Sequence, residues 1–296
     1  MNRFGPVGLL FAGLLCLHSA LGAEQRKPRV LTSFLPIYCF TVNIAGEYAD
    51  VQNLLPSNAS VHDFQLSTAD AQKLEQADLI ILNGQGVETW RGKVLENNHK
   101  RVVEFSAGLK GAFITDASGK VNPHIWLDPM LVIKGLTNIV TALQMADPAH
   151  ASAYAANAEH FAERLWRLDT ELSEGLRAAR NLPVVTYHDA FAYFARHYGL
   201  RVVGVIEEIP EIPPGPKHLT DLRRRMVKEN ARVIFAESAH SLKFARQLGR
   251  DMNVPVAVLD TLEGGTLSRT AYEEGMRANM KTIQQELAHY ASSRAR

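Results

Sequence analysis

The sequence predicts an α/β protein built as two parallel-sheet domains joined by one long rigid helix, and three observations carry that reading. Short runs rich in valine and isoleucine alternate with helix-like stretches in both halves of the chain. That alternation is the signature of parallel strands covered by helices. Between the halves, residues 147–180 contain no proline after Pro148 and one glycine, Gly175. Finally, 296 residues that are 46% apolar and 21% charged suffice for two modest cores.

Taken in order, the chain opens with Arg3 as the only charge before an apolar run, GPVGLLFAGLLCLHSALG. The run is too short for a bilayer span and is closed by small residues, so residues 1–23 read as a secretory signal peptide cut after Gly22 or Ala23. Cys16 follows Leu15 instead of a small residue, so lipid anchoring is not expected. Cys39 is then the one cysteine of the mature chain. It cannot form an intrachain disulfide and is expected to be a small buried residue.

Residues 24–146 form the expected N-terminal α/β domain. Its strands are RVLTSF (29–34), VQNLLP (51–56), DLIILN (78–83) and RVVEFS (101–106), with STADAQKLEQA (67–77) among its helices. Asp147-Pro148 pairs a helix cap with a first-turn proline and opens the linker helix, 147–180. There Tyr154, Phe161, Leu165, Leu168, Leu172 and Leu176 repeat at helical spacing and make one apolar stripe. A helix of that span would be ~50 Å long. Its stripe suits a strut within one chain better than a coiled-coil pair, because the flanks lack systematic charge. Residues 181–296 form the C-terminal α/β domain, with strands LPVVTYH (182–188), RVVGVI (201–206), RVIFAES (232–238) and VPVAVLD (254–260).

Charge excludes one class of partner. Lys+Arg and Asp+Glu nearly cancel, 32 against 31, so no basic field favours nucleic acid. The histidines are more informative. His18 leaves with the signal, His99, His150, His160, His218 and His289 lie in polar contexts that read as solvated, and His197 and His240 have no evident role. His62 follows the second strand, His124 sits stiffly in VNPHIWLDP between Pro123 and the large ring of Trp126, His188 ends the fifth strand and Asp260 ends the eighth. Ligands of open parallel sheets bind beyond the carboxyl ends of the strands, where these three imidazoles and one carboxylate would meet in the interdomain cleft. Such a set suits a divalent transition metal at ~2.0–2.2 Å, although spacing alone equally permits four separate strand-end residues. Trp126 reads as core packing.

At these residues the chain resembles the zinc- and manganese-binding solute receptors of bacterial ABC importers, the cluster A-I substrate-binding proteins. The resemblance runs through SFLPIYCF, HDFQLS, ADLIILNG with Glu88 and Trp90 downstream, NPHIWLDP, TYHDAFAYFARHYGL, EEIPEIPPGPKHL, IFAES and VLDTLEGG. It implies that His62, His124, His188 and Asp260 are the metal ligands. It also implies zinc as the transported ion, with manganese as the alternative, because His188 stands where some members carry glutamate and nitrogen-rich sites suit zinc. The implied setting is the periplasm, as a monomer serving an inner-membrane permease with a cytoplasmic ATPase, and a periplasmic metallochaperone as a further partner. The chain departs from many zinc-importing members between Ala107 and Val121, which holds Asp116 as its one acidic residue and no histidine. Glu237 is expected beside a ligand instead of on the metal. The competing class is an exported zinc-dependent hydrolase using Glu237 or Asp189 as base, and a surface adhesin is a further alternative.

Overall fold

The computed structural model describes residues 26–92, 101–116, 118–209, 212–237 and 239–294. The expected signal peptide and His99 lie outside these residues, as does the side chain of His240. All eight expected strands form, each shorter than its apolar run: β1 (Arg29–Thr32), β2 (Asp50–Asn53), β3 (Leu79–Leu82), β4 (Arg101–Glu104), β5 (Pro183–Thr186), β6 (Arg201–Val205), β7 (Val233–Ala236) and β8 (Val256–Val258). They make two four-stranded parallel sheets with the same order, β2-β1-β3-β4 and β6-β5-β7-β8. The central strands β3 and β7 read LIIL and VIFA with every residue buried, as strands covered on both faces must.

Eight α-helices cover the sheets among the described residues: α1 (Leu35–Ala45), α2 (Thr68–Gln76), α3 (Pro129–Ala146), α4 (Ala151–Gly175), α5 (Ala192–Tyr198), α6 (Pro216–Glu229), α7 (Ala239–Met252) and α8 (Ala271–Arg294). Their starts follow local chemistry. Ser67 and Asp70 form a reciprocal capping box on α2, and Asp128 accepts from the Met130 and Leu131 N–H groups ahead of α3, whose first residue is Pro129.

The linker helix is shorter than the sequence suggests. Its α-helical part is α4, ~37 Å at 1.5 Å per residue, with separate 3-10 turns at Pro148–His150 and Arg177–Ala179. The Asp147 carboxylate explains the start, since it accepts from the His150 ring (2.6 Å) and the Tyr154 hydroxyl (2.7 Å). At the other end a Cβ on Gly175 would stand 2.3 Å from Met280 Sδ, so glycine lets α8 cross closely. The stripe from Tyr154 to Leu176 is at most 1% exposed and is consumed inside the chain, against α1, α3 and α8.

One result differs from the expectation of two separate cores. The main apolar cluster runs without a break from Val30, Leu79 and Ile81 of the first sheet, through Phe40, Leu143, Leu168 and Met276, to Val184, Val233 and Phe235 of the second. Smaller clusters fill the outer faces. The reason is the C-terminal segment, which returns to the first half: Tyr272 donates to Trp126 O and packs edge-on to Phe40, and Glu273 pairs with Arg164. Cys39 is fully buried there, and burial pushes its thiol up to about 12.

Candidate metal centre

The three histidines singled out by the sequence converge at the carboxyl ends of the two sheets. His62 stands in the connection after β2, His124 in the connection after β4, and His188 just beyond β5. Their Nε2 atoms face one another, 3.2 Å from His62 to His124 and 3.1 Å from His124 to His188.

The rings of His124 and His188 are oriented by their neighbours. His124 precedes a 3-10 turn, Ile125–Leu127, and its backbone N–H (3.0 Å) and ring Nδ1 (2.8 Å) both meet Asn122 Oδ1. A carbonyl oxygen can only accept, so Nδ1 carries the proton and Nε2 presents a lone pair. His188 donates its backbone N–H to Glu237 Oε1 (3.1 Å) and its ring Nδ1 to the other Glu237 oxygen. Glu237 thus stands behind the His188 ring, an arrangement that at metal sites fixes tautomer and raises ligand basicity. His62 is held less firmly, by a bond from its backbone N–H to Ser60 Oγ. Trp126 is fully buried, packs edge-on to Phe34, and donates from Nε1 to Thr261 O (2.7 Å).

The carboxylate that reaches the imidazoles is Glu263, three residues beyond the expected Asp260. Asp260 is exposed, and its Oδ1 accepts the Leu262 N–H (2.8 Å) while its backbone bonds both ways with Asn279. That turn holds Leu262 at φ 61°, an unfavourable left-handed conformation for a residue with a Cβ. Gly264 and Gly265 then press against the 57–59 loop, Gly265 N–H donating to Ser57 O (2.8 Å), and a Cβ on Gly264 would lie 2.5 Å from the same oxygen. The reversal turns Glu263 inward. Its Oε1 is buried with no hydrogen-bond partner, 3.5 Å from His62 Nε2 and 4.0 Å from His124 Nε2.

These four groups lie within 4.8 Å of one another, and they are the one such cluster among the described residues. Four atoms bound at ~2.0–2.1 Å around a tetrahedral ion are ~3.3–3.4 Å apart, close to the spacings seen. The Nε2 lone pairs of His124 and His188, the His62 Nε2 and a buried carboxylate oxygen without a hydrogen-bond partner thus gather at one point, a donor set that a cation would satisfy.

The electrostatics differ from group to group. Burial, then the neighbouring His188 and His62, hold His124 well below the ordinary imidazole range. Burial also opposes charge on His188, but Glu237 outweighs it and raises the ring. Burial pushes Glu263 up, and contact with His62 and the charge of His188 bring it below its usual range.

Three other histidines have partners that the sequence does not reveal. His150 stacks on Tyr48 and bonds Asp147, and His218 bonds Val205 O and pairs with Glu208. His197 bridges Asp128 and Asp169, 3.0 Å from each. Glu263, Asn122 and Glu237 depend on contacts across the fold. The one local signal for Glu263 was an acidic residue directly before Gly-Gly.

Comparison with known proteins places this architecture. Residues 30–286 match the family described as Zinc-uptake complex component A periplasmic. The chain is 30% identical to the zinc-binding protein AdcA of Streptococcus pyogenes serotype M3 over 94% of its own length, and spans 59% of that relative. It is 30% identical to the high-affinity zinc uptake system protein ZnuA of Bacillus subtilis, covering 84% of this chain and 82% of that one. The SBP FpvC from Pseudomonas aeruginosa, solved in complex with Mn2+, superposes with a TM-score of 0.81 at 27% identity, covering 90% of this chain and all of the other. The chain belongs to the zinc-uptake component A family of metal-binding solute-binding proteins.

Proposed function

We propose that the protein is a periplasmic zinc receptor that captures Zn2+ between its two sheets and delivers it to an inner-membrane ABC permease driven by a cytoplasmic ATPase. The observation that carries this is the convergence of His62, His124, His188 and Glu263 on one point. Three neutral imidazoles and one carboxylate suit Zn2+ better than Mn2+, which favours more oxygen ligands. Asp260 acts through the loop that aims Glu263. In this reading residues 1–23 are removed on export and the mature chain carries no lipid anchor. Residues 24–146 and 181–296 act as two lobes on the strut at 147–180, and the monomer exchanges metal with the permease or with a metallochaperone.

The reading also makes the protein a receptor and not a hydrolase. Glu263 fills the fourth position that a catalytic zinc leaves to water. The two carboxylates available as bases are engaged, Glu237 with His188 and Asp189 with Asn122. The continuous core and strut favour small adjustments on loading over wide hinge closure.

The test is elemental analysis of the mature chain after stripping with chelator and dialysis against equimolar Zn2+ and Mn2+, with His124→Ala alongside. One zinc per wild-type chain, lost from the variant, is expected. Manganese uptake overturns the metal, and no retained metal in the wild type overturns the receptor.

A further inference from the structure

We infer that Asn122 is a positioning residue that ties the two halves of the metal centre together, setting the tautomer of His124 with one end of its amide and gripping the segment beside His188 with the other. The inference rests on the metal-receptor reading and adds to it a residue outside the ligand set.

The orientation of the amide follows from its partners. His124 N–H can only donate, so the atom facing it at 3.0 Å is Oδ1, and the same oxygen takes the Nδ1 proton at 2.8 Å. Nδ2 then faces Asp189, next to His188, and donates to its backbone oxygen (2.6 Å) and to its carboxylate (3.0 Å). The Asn122 main chain makes a third link, its carbonyl accepting from the Tyr193 hydroxyl (2.7 Å), which itself accepts from the Ile114 N–H (3.0 Å). Tyr193 is fully buried on α5, the helix that follows His188. A single residue two positions before the first-half ligand therefore holds two fixed points beside the second-half ligand.

This arrangement accounts for the 3.1 Å approach of His124 and His188 Nε2. A ligand pair held in place beforehand loses less freedom when the ion arrives. Asparagine meets both demands because it has an acceptor at one end and donors at the other. Aspartate would keep the acceptor for His124 while presenting oxygen to the Asp189 oxygens.

Asn122→Ala and Asn122→Asp separate the two roles. Zinc affinity by chelator competition is read together with the His124 tautomer by long-range proton–nitrogen NMR, with the remote core variant Leu168→Ala as a stability control. Alanine is expected to weaken zinc ~10–100-fold, the usual cost of losing a partner behind a ligand, and to leave His124 with mixed tautomers. Aspartate is expected to keep the Nδ1–H tautomer yet still weaken zinc, and Leu168→Ala to lower melting temperature while leaving tautomer and affinity unchanged. Wild-type affinity in Asn122→Asp would overturn the bridge. An unchanged tautomer in Asn122→Ala would overturn the orienting role. Should the wild type itself bind no zinc, the receptor reading fails, and the tautomer in the metal-free protein still tests Asn122 alone.

Discussion

Replacing Glu263 by alanine, and separately Asp260 by alanine, distinguishes a ligand from a residue that aims one. Glu263 Oε1 lies 3.5 Å from His62 Nε2 within the cluster, whereas Asp260 Oδ1 is spent on the Leu262 N–H. Loss of a partner behind a ligand typically costs 10–100-fold in metal affinity, so loss of the anionic ligand itself should exceed ~100-fold, and loss of Asp260 should stay within that range. A 100-fold weaker site loses ~2.7 kcal/mol of ligand-linked stability at fixed excess metal. At ~2–4 °C per kcal/mol for a chain of this size, the zinc-induced rise in melting temperature should shrink by roughly 5–10 °C in Glu263→Ala. The assay is calorimetric melting with and without excess Zn2+, beside chelator competition. A larger loss in Asp260→Ala than in Glu263→Ala would refute the reasoning and place Asp260 on the metal.

Other perturbations follow from the same contacts. Glu237→Gln removes the charge behind His188 and should weaken zinc ~10–100-fold, measured by chelator competition, with one metal per chain retained in excess zinc. His197, held by hydrogen bonds to Asp128 and Asp169, is raised to about 10, so its contribution to stability is complete below its unfolded value near ~6.5 and is lost as pH rises towards 10. His197→Gln should therefore cost on the order of 2 kcal/mol at pH 6, reduced by partial exposure, and progressively less by pH 10, as read by denaturant melts across that range. Leu168→Ala empties a fully buried position on α4 and should cost ~2–5 kcal/mol by the same melts.

Much of this protein was legible in the chain because local physics wrote it there. Runs such as LIIL and VIFA specify strands covered on both faces, and Asp128-Pro129 specifies a helix start whatever the surroundings. His62, His124 and His188 were visible because each follows the end of a strand or sits in a rigid turn, and parallel sheets gather such positions at one edge. The carboxylate that completes the cluster was not visible. Asp260 and Glu263 sit three residues apart in VLDTLEGG, and the choice between them depends on Leu262 taking φ 61° and on Gly264 and Gly265 meeting the loop at Ser57. Tertiary contact likewise set Met280 against Gly175 and joined two expected cores into one through Tyr272 and Met276. Sequence determined which segments form strands and helices and where their ends gather, because periodicity and caps act over a few residues. Only the tertiary structure decided which carboxylate turns inward and which amide locks the halves together, because those outcomes depend on groups brought together from distant parts of the chain.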